Sequence, residues 1–282
     1  MKFCIKTLVG ITLALAAQNL NAQDADPMRY TDSNKGKIYV FWGGNRDTYT
    51  RSDIHFKGED YDFTIYDVKS HDKPKGWHID YINPGRMTIP QTNFRIGYFI
   101  DNHYNVSIGL DHMKYVMYQD KVVDFKGYYP NRGDYGEAIP GDPDKVLLTE
   151  DFLKFEHTDG LNYINTEFSR VDDISKYFGI KNTDVLQINL TEGLGMGMLF
   201  PRTNTTLLNK ARYDEFHVAG WGASVKGGLN FVFFKHFMIQ TELKGGYIRM
   251  GDIRTTSNKK DKASQHFLFG ESVIAFGGIF KI

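Results

Sequence analysis

The sequence predicts an all-β fold: a transmembrane antiparallel up-and-down β-barrel of eight strands that follows a cleaved signal peptide. Three observations predict it: an export signal at the start of the 282-residue chain, long segments in which apolar and polar residues alternate, and connectors that are short and long by turns. The last segment, FLFGESVIAFGGIFKI, keeps apolar residues at every second position to its end. An exported chain of amphipathic strands is typical of the bacterial outer membrane.

Residues 1–22 form the predicted signal peptide, with a basic start, an apolar stretch too short to span a membrane and cleavage after Ala22. The one cysteine, Cys4, lies in this segment, so the mature chain is expected to hold no disulfide and no cysteine metal site. Residues 23–36 are predicted to be a polar periplasmic lead. The barrel is predicted over residues 37–282.

The charge balance argues against a nucleic-acid-binding protein, and the composition suits membrane-spanning strands. Lys plus Arg and Asp plus Glu each number 34, whereas a nucleic-acid-binding protein would carry a basic excess. The mean hydropathy of −0.41 is modest because barrel strands alternate lipid-facing and lumen-facing residues. Aromatic residues make up 15% of the chain and glycines number 28, which suits strands with one apolar face. No cofactor motif is present, so no cofactor is predicted.

Eight strand-like segments can be placed along the chain. They are Lys37–Thr50, Met87–Ile100, Tyr104–Gln119, Gly160–Val171, Asp184–Phe200, Phe216–Phe233, Phe237–Met250 and Gln265–Ile282. Alternate connectors are short, as expected for periplasmic turns, and the two longest outer loops cover about residues 51–86 and 120–159. A soluble secreted β-sandwich is the structural alternative, although it would rarely carry so many charges on one face of its strands.

The first outer loop contains a further hairpin pattern. Residues Ser52–Phe56 and Tyr61–Val68 alternate around a polar Gly58-Glu59-Asp60 turn. The hairpin is either an extension of the barrel wall above the membrane or a pair of further spanning strands, which would make ten. We expect eight.

The alternation assigns two faces to each strand. In the second segment Phe94, Ile96 and Tyr98 are predicted to face lipid, while Asn93 and Arg95 face the lumen. The charged side chains predicted to face the lumen are Arg95, Lys226, Glu242, Lys244 and Glu271. Two interpretations are open: a salt-bridge network that fills the lumen, or a polar conduit or proton path. An eight-stranded barrel is just wide enough for side chains to fill, which argues against a porin.

Glycines gather on one predicted wall of the lumen. They are Gly193, Gly195 and Gly197 in the fifth segment and Gly220, Gly222 and Gly228 in the sixth. Bulky side chains from across the lumen could fill the space beside them. Alternatively, they could line a cavity in the outer half that admits a small hydrophobic ligand.

Three local features complicate the pattern. Gly43-Gly44 predicts a β-bulge in the first strand. Glu192 shares a face with the apolar residues of the fifth strand, and a second bulge is predicted to turn it inward, because a lipid-facing carboxylate is costly. Many aromatic residues near strand ends are expected to form interface girdles. These are Tyr39, Phe41, Trp42, Phe99, Tyr104, Phe200, Trp221, Phe233, Phe234 and Phe237.

Catalytic and metal-binding patterns are weak. A lipid-modifying hydrolase would need a Ser and a His paired on one strand with a carboxylate nearby. His217-Val218-Ala219 has Ala in place of the nucleophile, while Ser264-Gln265-His266 has the two residues reversed, with Glu271 further along the strand. The acidic first loop lacks the ligand spacing of a calcium loop. No catalytic residue and no metal site are predicted.

Several strings also carry a resemblance to known proteins. They are YTRSDIHFKGEDYDFT, FRIGYFIDNHYNVSIGLDHMKYVM and LFPRTNTTL. With the layout of the whole mature chain, they resemble small outer-membrane β-barrel proteins of Gram-negative bacteria, the OmpW/OmpX-like class, including a family of barrels with no assigned activity. Members usually end on an aromatic residue, whereas this chain ends on Phe280-Lys281-Ile282.

The expected role is structural or interactive: a closed barrel that presents its outer loops or docks to an envelope complex. Two alternatives are a conduit for small hydrophobic compounds, as proposed for OmpW-like barrels, and a lipid-modifying outer-membrane hydrolase. The expected partners are outer-membrane lipids and lipopolysaccharide, the barrel assembly machinery during insertion and another envelope protein. Nucleic acid is not among them.

Overall fold

A computed structural model describes residues 33–76 and 90–281, so the predicted signal peptide, most of the predicted lead and the last residue lie outside the described residues. The strands are β1 (Lys37–Tyr49), β2 (Ser52–Lys57), β3 (Asp62–Val68), β4 (Ser70–His71), β5 (Thr92–Phe99), β6 (Tyr104–Met117), β7 (Val122–Tyr128), β8 (Ala138–Ile139), β9 (Asp142–Leu147), β10 (Leu153–Asp173), β11 (Leu186–Leu199), β12 (Asn204–Leu207), β13 (Gly220–Phe233), β14 (Phe237–Arg254) and β15 (Lys262–Lys281). One 3-10 helix covers Ser175–Phe178. Within the two described ranges, no helix has the length and apolar character needed to cross a membrane.

Eight of these strands close into a ring, in the order β1-β5-β6-β10-β11-β13-β14-β15. The ring closes where β15 pairs with β1, from Lys37 opposite Lys281 to Tyr49 opposite Phe269. All neighbours are antiparallel. The predicted eight-stranded barrel is therefore confirmed. β10 and β14 are longer than predicted, because both continue beyond the ring.

The outer surface of the ring is an apolar belt. Its most exposed members include Ile108 (59%), Met196 (69%), Val225 (58%) and Ile274 (54%), each on a different strand. The residues that alternate with them point inward and are buried. A surface of this kind is stable only against lipid, because a water-soluble protein rarely exposes so large an apolar area.

Above the belt, five further strands extend the sheet in the order β15-β2-β3-β7-β9-β8. The β2–β3 hairpin pairs with the start of β15, from Lys57 opposite Lys262 to Ile54 opposite Gln265. It is therefore the expected extension of the wall and adds no spanning strands. The second outer loop, predicted without strands, contains β7, β8 and β9. These five strands, with the ends of β6, β10, β14 and β15 that pack on them, lie on the side predicted to be extracellular, and we call them the extracellular domain.

Neither predicted bulge is present. β1 keeps its register with both neighbours through Gly43, where a Cβ would lie 2.1 Å from the Ile274 carbonyl oxygen, so the glycine allows close approach to β15 instead. β11 likewise keeps its register, which leaves Glu192 on the outer face opposite Arg170 of β10. The electrostatic interaction with this arginine offsets the cost of an outward carboxylate.

The interior has three layers. At the periplasmic end Tyr39, Phe41 and Phe99 point inward and join a small apolar cluster, so these three aromatic residues are not part of an interface girdle as predicted. Trp221 and Phe237 do face outward, with about half of each side chain exposed. The middle layer is polar and charged. The upper layer, inside the extracellular domain, is a large aromatic and aliphatic core.

Candidate functional site

The middle layer is a cluster of charged side chains that alternation of the strands directs into the lumen. We define the lumen charge cluster as Arg95, Asp111, Glu167, Lys226, Glu242, Lys244 and Glu271. Its members come from β5, β6, β10, β13, β14 and β15, so ion pairs join six of the eight ring strands across the lumen. Each side chain in it is no more than 5% exposed.

Glu167 is the centre of this cluster. Its Oε1 lies 3.0 Å from Nη2 of Arg95 and 3.1 Å from Nζ of Lys244. Its Oε2 lies 2.6 Å from Nζ of Lys226, which also reaches Glu242 at 2.8 Å. Glu167 therefore forms an ion pair with each of the three buried cations, while Asp111, Glu242 and Glu271 supply the other carboxylates of the cluster. Ionised groups need such pairing when they leave water.

Amide side chains complete the hydrogen bonding around Asp111. Asn93 donates one bond to Asp111 Oδ1 and one to Glu271 Oε1, both 2.8 Å long. Asn165 donates to Asp111 Oδ2 at 2.9 Å and accepts from Arg95 at 2.8 Å. Asn93 was identified from the sequence as a lumen residue. Glu167 and Asn165 were missed, although the alternation of β10 places both on its inner face.

The glycine wall adjoins occupied space. A Cβ on Gly195 would lie 2.8 Å from Ser224 Oγ and 3.0 Å from Glu167 Cγ, and a Cβ on Gly193 would lie 2.6 Å from Ser169 Oγ. Gly222 faces the Tyr163 ring in the same way. Gly197 and Gly220 would meet the backbone of the neighbouring strand at 2.0 Å. Neighbouring side chains and strands therefore occupy the space directly beside these five glycines.

A cavity does exist, but in the periplasmic half of the lumen. Its volume is about 40 Å³, room for a few water molecules. One wall is a ladder of amides in which Asn230 bonds to Asn189 at 3.0 Å and to Gln240 at 2.9 Å. The opposite wall carries Phe41 and Phe99 of the periplasmic apolar cluster. The charge cluster separates this cavity from the upper core.

The upper core is aromatic and closes the lumen from above. Phe63 of β3 stacks on Phe56 with 5.2 Å between ring centroids and also contacts Phe152 of the second outer loop at 5.8 Å. His157 is buried beside the Tyr115 and Phe155 rings. Its Nδ1 lies 2.8 Å from Thr203 Oγ1, and burial in this apolar core, opposed by a hydrogen bond with Gln265, lowers the pKa of His157 to about 3.

The weak catalytic pattern does not assemble. Along β15, Ser264 and His266 lie on the outer face, while Glu271 points into the lumen and joins the charge cluster. His217 contacts Asp252 at 2.9 Å, with no serine in that pair. Within residues 33–76 and 90–281, no group of His, Cys, Asp or Glu side chains has an arrangement that could hold a metal ion.

A closed ring of eight antiparallel strands with an apolar exterior and a charged interior defines a class: the small outer-membrane β-barrel proteins. No protein-family model matches the chain, and no curated protein matches its sequence.

The solved structures that are similar to this chain include the following three. The attachment invasion locus protein Ail of Yersinia pestis is 10% identical, with 87% of this chain and 99% of that chain covered and a TM-score of 0.35. A second structure of Ail, in complex with the heparin analogue sucrose octasulfate, gives 10% identity, the same coverage and a TM-score of 0.32. The outer membrane protein OprG of Pseudomonas aeruginosa is 9% identical, with 89% and 98% covered and a TM-score of 0.34.

Proposed function

We propose that the protein is a closed outer-membrane barrel that anchors a rigid extracellular domain, with a structural or interaction role at the cell surface. One observation carries this proposal: the ring and the domain share strands. β15 pairs with β1 in the ring and then with β2 in the domain. The domain is therefore held at a fixed height and orientation, as a contact surface requires.

The filled lumen supports this role over conduction. The charge cluster spans the barrel, and the aromatic core lies directly above it. A conduit for small hydrophobic compounds would have to displace both. The separation of Ser264 from Glu271 on opposite faces of β15 likewise supports a non-enzymatic role. The expected partners are outer-membrane lipids and lipopolysaccharide, the barrel assembly machinery and another envelope protein.

Permeation tests the closed barrel. The protein is reconstituted in phosphatidylcholine vesicles, and the entry of small sugars and of a small hydrophobic dye is measured beside a porin as a positive control. We expect entry at the rate of empty vesicles. Entry well above that rate would favour the conduit.

Site-specific photo-crosslinking in intact cells tests the contact surface. A photoreactive residue at Tyr128, 61% exposed on β7 of the extracellular domain, is compared with one at Ile108, 59% exposed in the apolar belt. We expect a discrete adduct with a surface macromolecule from position 128 and lipid adducts from position 108. Lipid adducts or no adduct from 128 would contradict the proposal.

A further inference from the structure

A row of polar outward-facing side chains borders the top of the apolar belt on one side of the barrel. In the register of β13, β14 and β15, Arg249 lies opposite Trp221 on one side and His266 on the other. Directly below, Tyr247 lies opposite Leu268, which is 55% exposed. Trp and Tyr beside a cation are the side chains that occupy the boundary between lipid tails and head groups.

Arg249 differs from Arg46 and Arg170, two other outward arginines of ring strands, because both of those have partners. Arg170, at the periplasmic end, has its Nε 2.7 Å from Asp172 Oδ2. Arg249 is exposed and has no hydrogen-bond or ion-pair partner among the described residues. A guanidinium carries several N–H donors in a fixed fork, so its full capacity for a planar or tetrahedral anion is available.

A cleft of about 200 Å³ adjoins this row. Its lower side is formed by Tyr247, His266 and Leu268, and its upper side by the segment in which β1 leaves the ring, including Arg51. Arg51 forms an ion pair with Asp67, and Asp53 also lines the upper side, which therefore carries a net negative charge. An anion is therefore favoured on the Arg249 and His266 side.

Resting on the proposed function as an outer-membrane barrel, we propose that Arg249 and His266, flanked by Trp221 and Tyr247, bind the phosphate group of a phosphorylated glycolipid of the outer leaflet. The phosphate would accept N–H bonds from Arg249 and from His266, and the adjoining sugar would lie in the cleft. The acyl chains would lie against Leu268 and the belt below it. The position of the site at the top of the apolar belt favours a lipid over a free anion, because the site borders both the membrane and the cleft.

Native mass spectrometry of the full protein, folded in detergent and titrated with lipid A, tests the proposal. The probes are the diphosphorylated form and the same lipid with its phosphates removed. We expect tighter binding of the diphosphorylated form and, in Arg249→Gln, about tenfold weaker binding of that form alone, because a charge-assisted hydrogen bond is lost. Arg249→Lys, which keeps the charge but not the fork, should lose less.

Lys126→Gln is the matched control, because Lys126 is an exposed cation on the outer face of the extracellular domain. It should bind lipid A like the unchanged protein, and heat-modifiable gel mobility verifies that each variant is folded. Equal binding of both lipid forms, or equal binding by Arg249→Gln and the unchanged protein, would overturn the proposal. Displacement of the lipid by millimolar inorganic phosphate would also overturn it, since it would identify a free-anion site.

Discussion

The membrane part and the extracellular part of one strand have opposite polarity. In β6 the inward side chains are Ser107 and Asp111 within the membrane but Met113 and Tyr115 above it, all buried. The outward side chains change in the reverse sense, from exposed Ile108 to Lys114. Because lipid surrounds the lower part and water the upper part, the face that needs apolar residues changes at the boundary.

This difference also separates two ways of stabilising an interior. The lumen charge cluster depends on complete pairing, since an unpaired buried charge is costly. The aromatic core of the extracellular domain depends on packing, where loss of volume is costly. Variants of each type should therefore separate the two regions.

The largest effect is expected from Glu167→Gln. It removes the carboxylate that pairs with Arg95, Lys226 and Lys244, so each buried cation loses one ion pair, while Asp111, Glu242 and Glu271 stay in the cluster. The free energy of unfolding in urea, followed by gel mobility, should fall by about 3–5 kcal/mol. Glu192→Gln, on the outer face, is the control and should change it by less than about 1 kcal/mol. An equal loss of stability in the two variants would show that the lumen charge cluster does not depend on complete pairing.

Phe63→Ala should damage the other region. The ring is 1% exposed and contacts four other aromatic rings of the core besides Tyr61. Truncation should cost the extracellular domain about 3–5 kcal/mol, as the cavity cannot fully collapse. Limited proteolysis should then cut the outer strands, while the ring keeps its folded gel mobility. Simultaneous loss of both regions would mean that they unfold as one unit.

A smaller effect is expected from Glu137→Gln in the second outer loop. Burial opposes ionisation of this carboxyl, but bonds from Gly133 N–H, from the Tyr129 hydroxyl and from Tyr135 N–H hold the pKa of Glu137 below its usual value. The contribution is therefore present above about pH 4.5 and lost as the pH falls further. The variant should lower local stability by about 2 kcal/mol at pH 7, measured by hydrogen exchange.

At pH 3 the proteolytic susceptibility of this loop should be nearly the same in both proteins. A difference that persists undiminished at pH 3 would contradict the role of the ionised carboxylate.

The smallest effect concerns His157, whose pKa is lowered to about 3 by burial. The folded domain holds the imidazole neutral, whereas the unfolded chain takes up a proton below about pH 6.5. The free energy of unfolding is therefore unaffected by this group above about pH 6.5 and falls as the pH drops towards 3. Between pH 7.5 and 5.5 the extracellular domain should lose about 1.4 kcal/mol through this group. Urea unfolding of the unchanged protein and of His157→Gln at both pH values gives the difference. The same pH dependence in both proteins would rule the effect out.

Much of the barrel could be predicted from the sequence because lipid and lumen impose a two-residue period. The eight ring strands and the inward positions of Arg95, Lys226 and Lys244 follow from it. In the extracellular domain the β2–β3 hairpin was also predicted, whereas the segments of β7, β8 and β9 were interpreted as parts of a loop. Yet the reversal between Asp111 and Met113 is visible in the sequence and is the signal that was overlooked.

The ion pairs across the lumen could not be predicted from the sequence. Glu167 contacts cations from β5, β13 and β14, and such contacts depend on the closure and stagger of the ring. Glu192 was misplaced for a related reason. Its neighbour Arg170 lies on the adjacent strand, so the compensating charge is invisible along a single strand.

The reversal of polarity along β6 also fixes the depth of the barrel in the membrane. Successive outward side chains are about 6.6 Å apart along a strand. If the barrel sank by one such step, the outward Lys114 end of β6 would move towards the hydrocarbon, at about 2–4 kcal/mol for a charged side chain at the midplane and less near the surface. If it rose, apolar residues such as Ile108 would move towards water. The change of polarity along β6 thus marks the level of the membrane surface, and the extracellular domain lies at a set distance from the lipid.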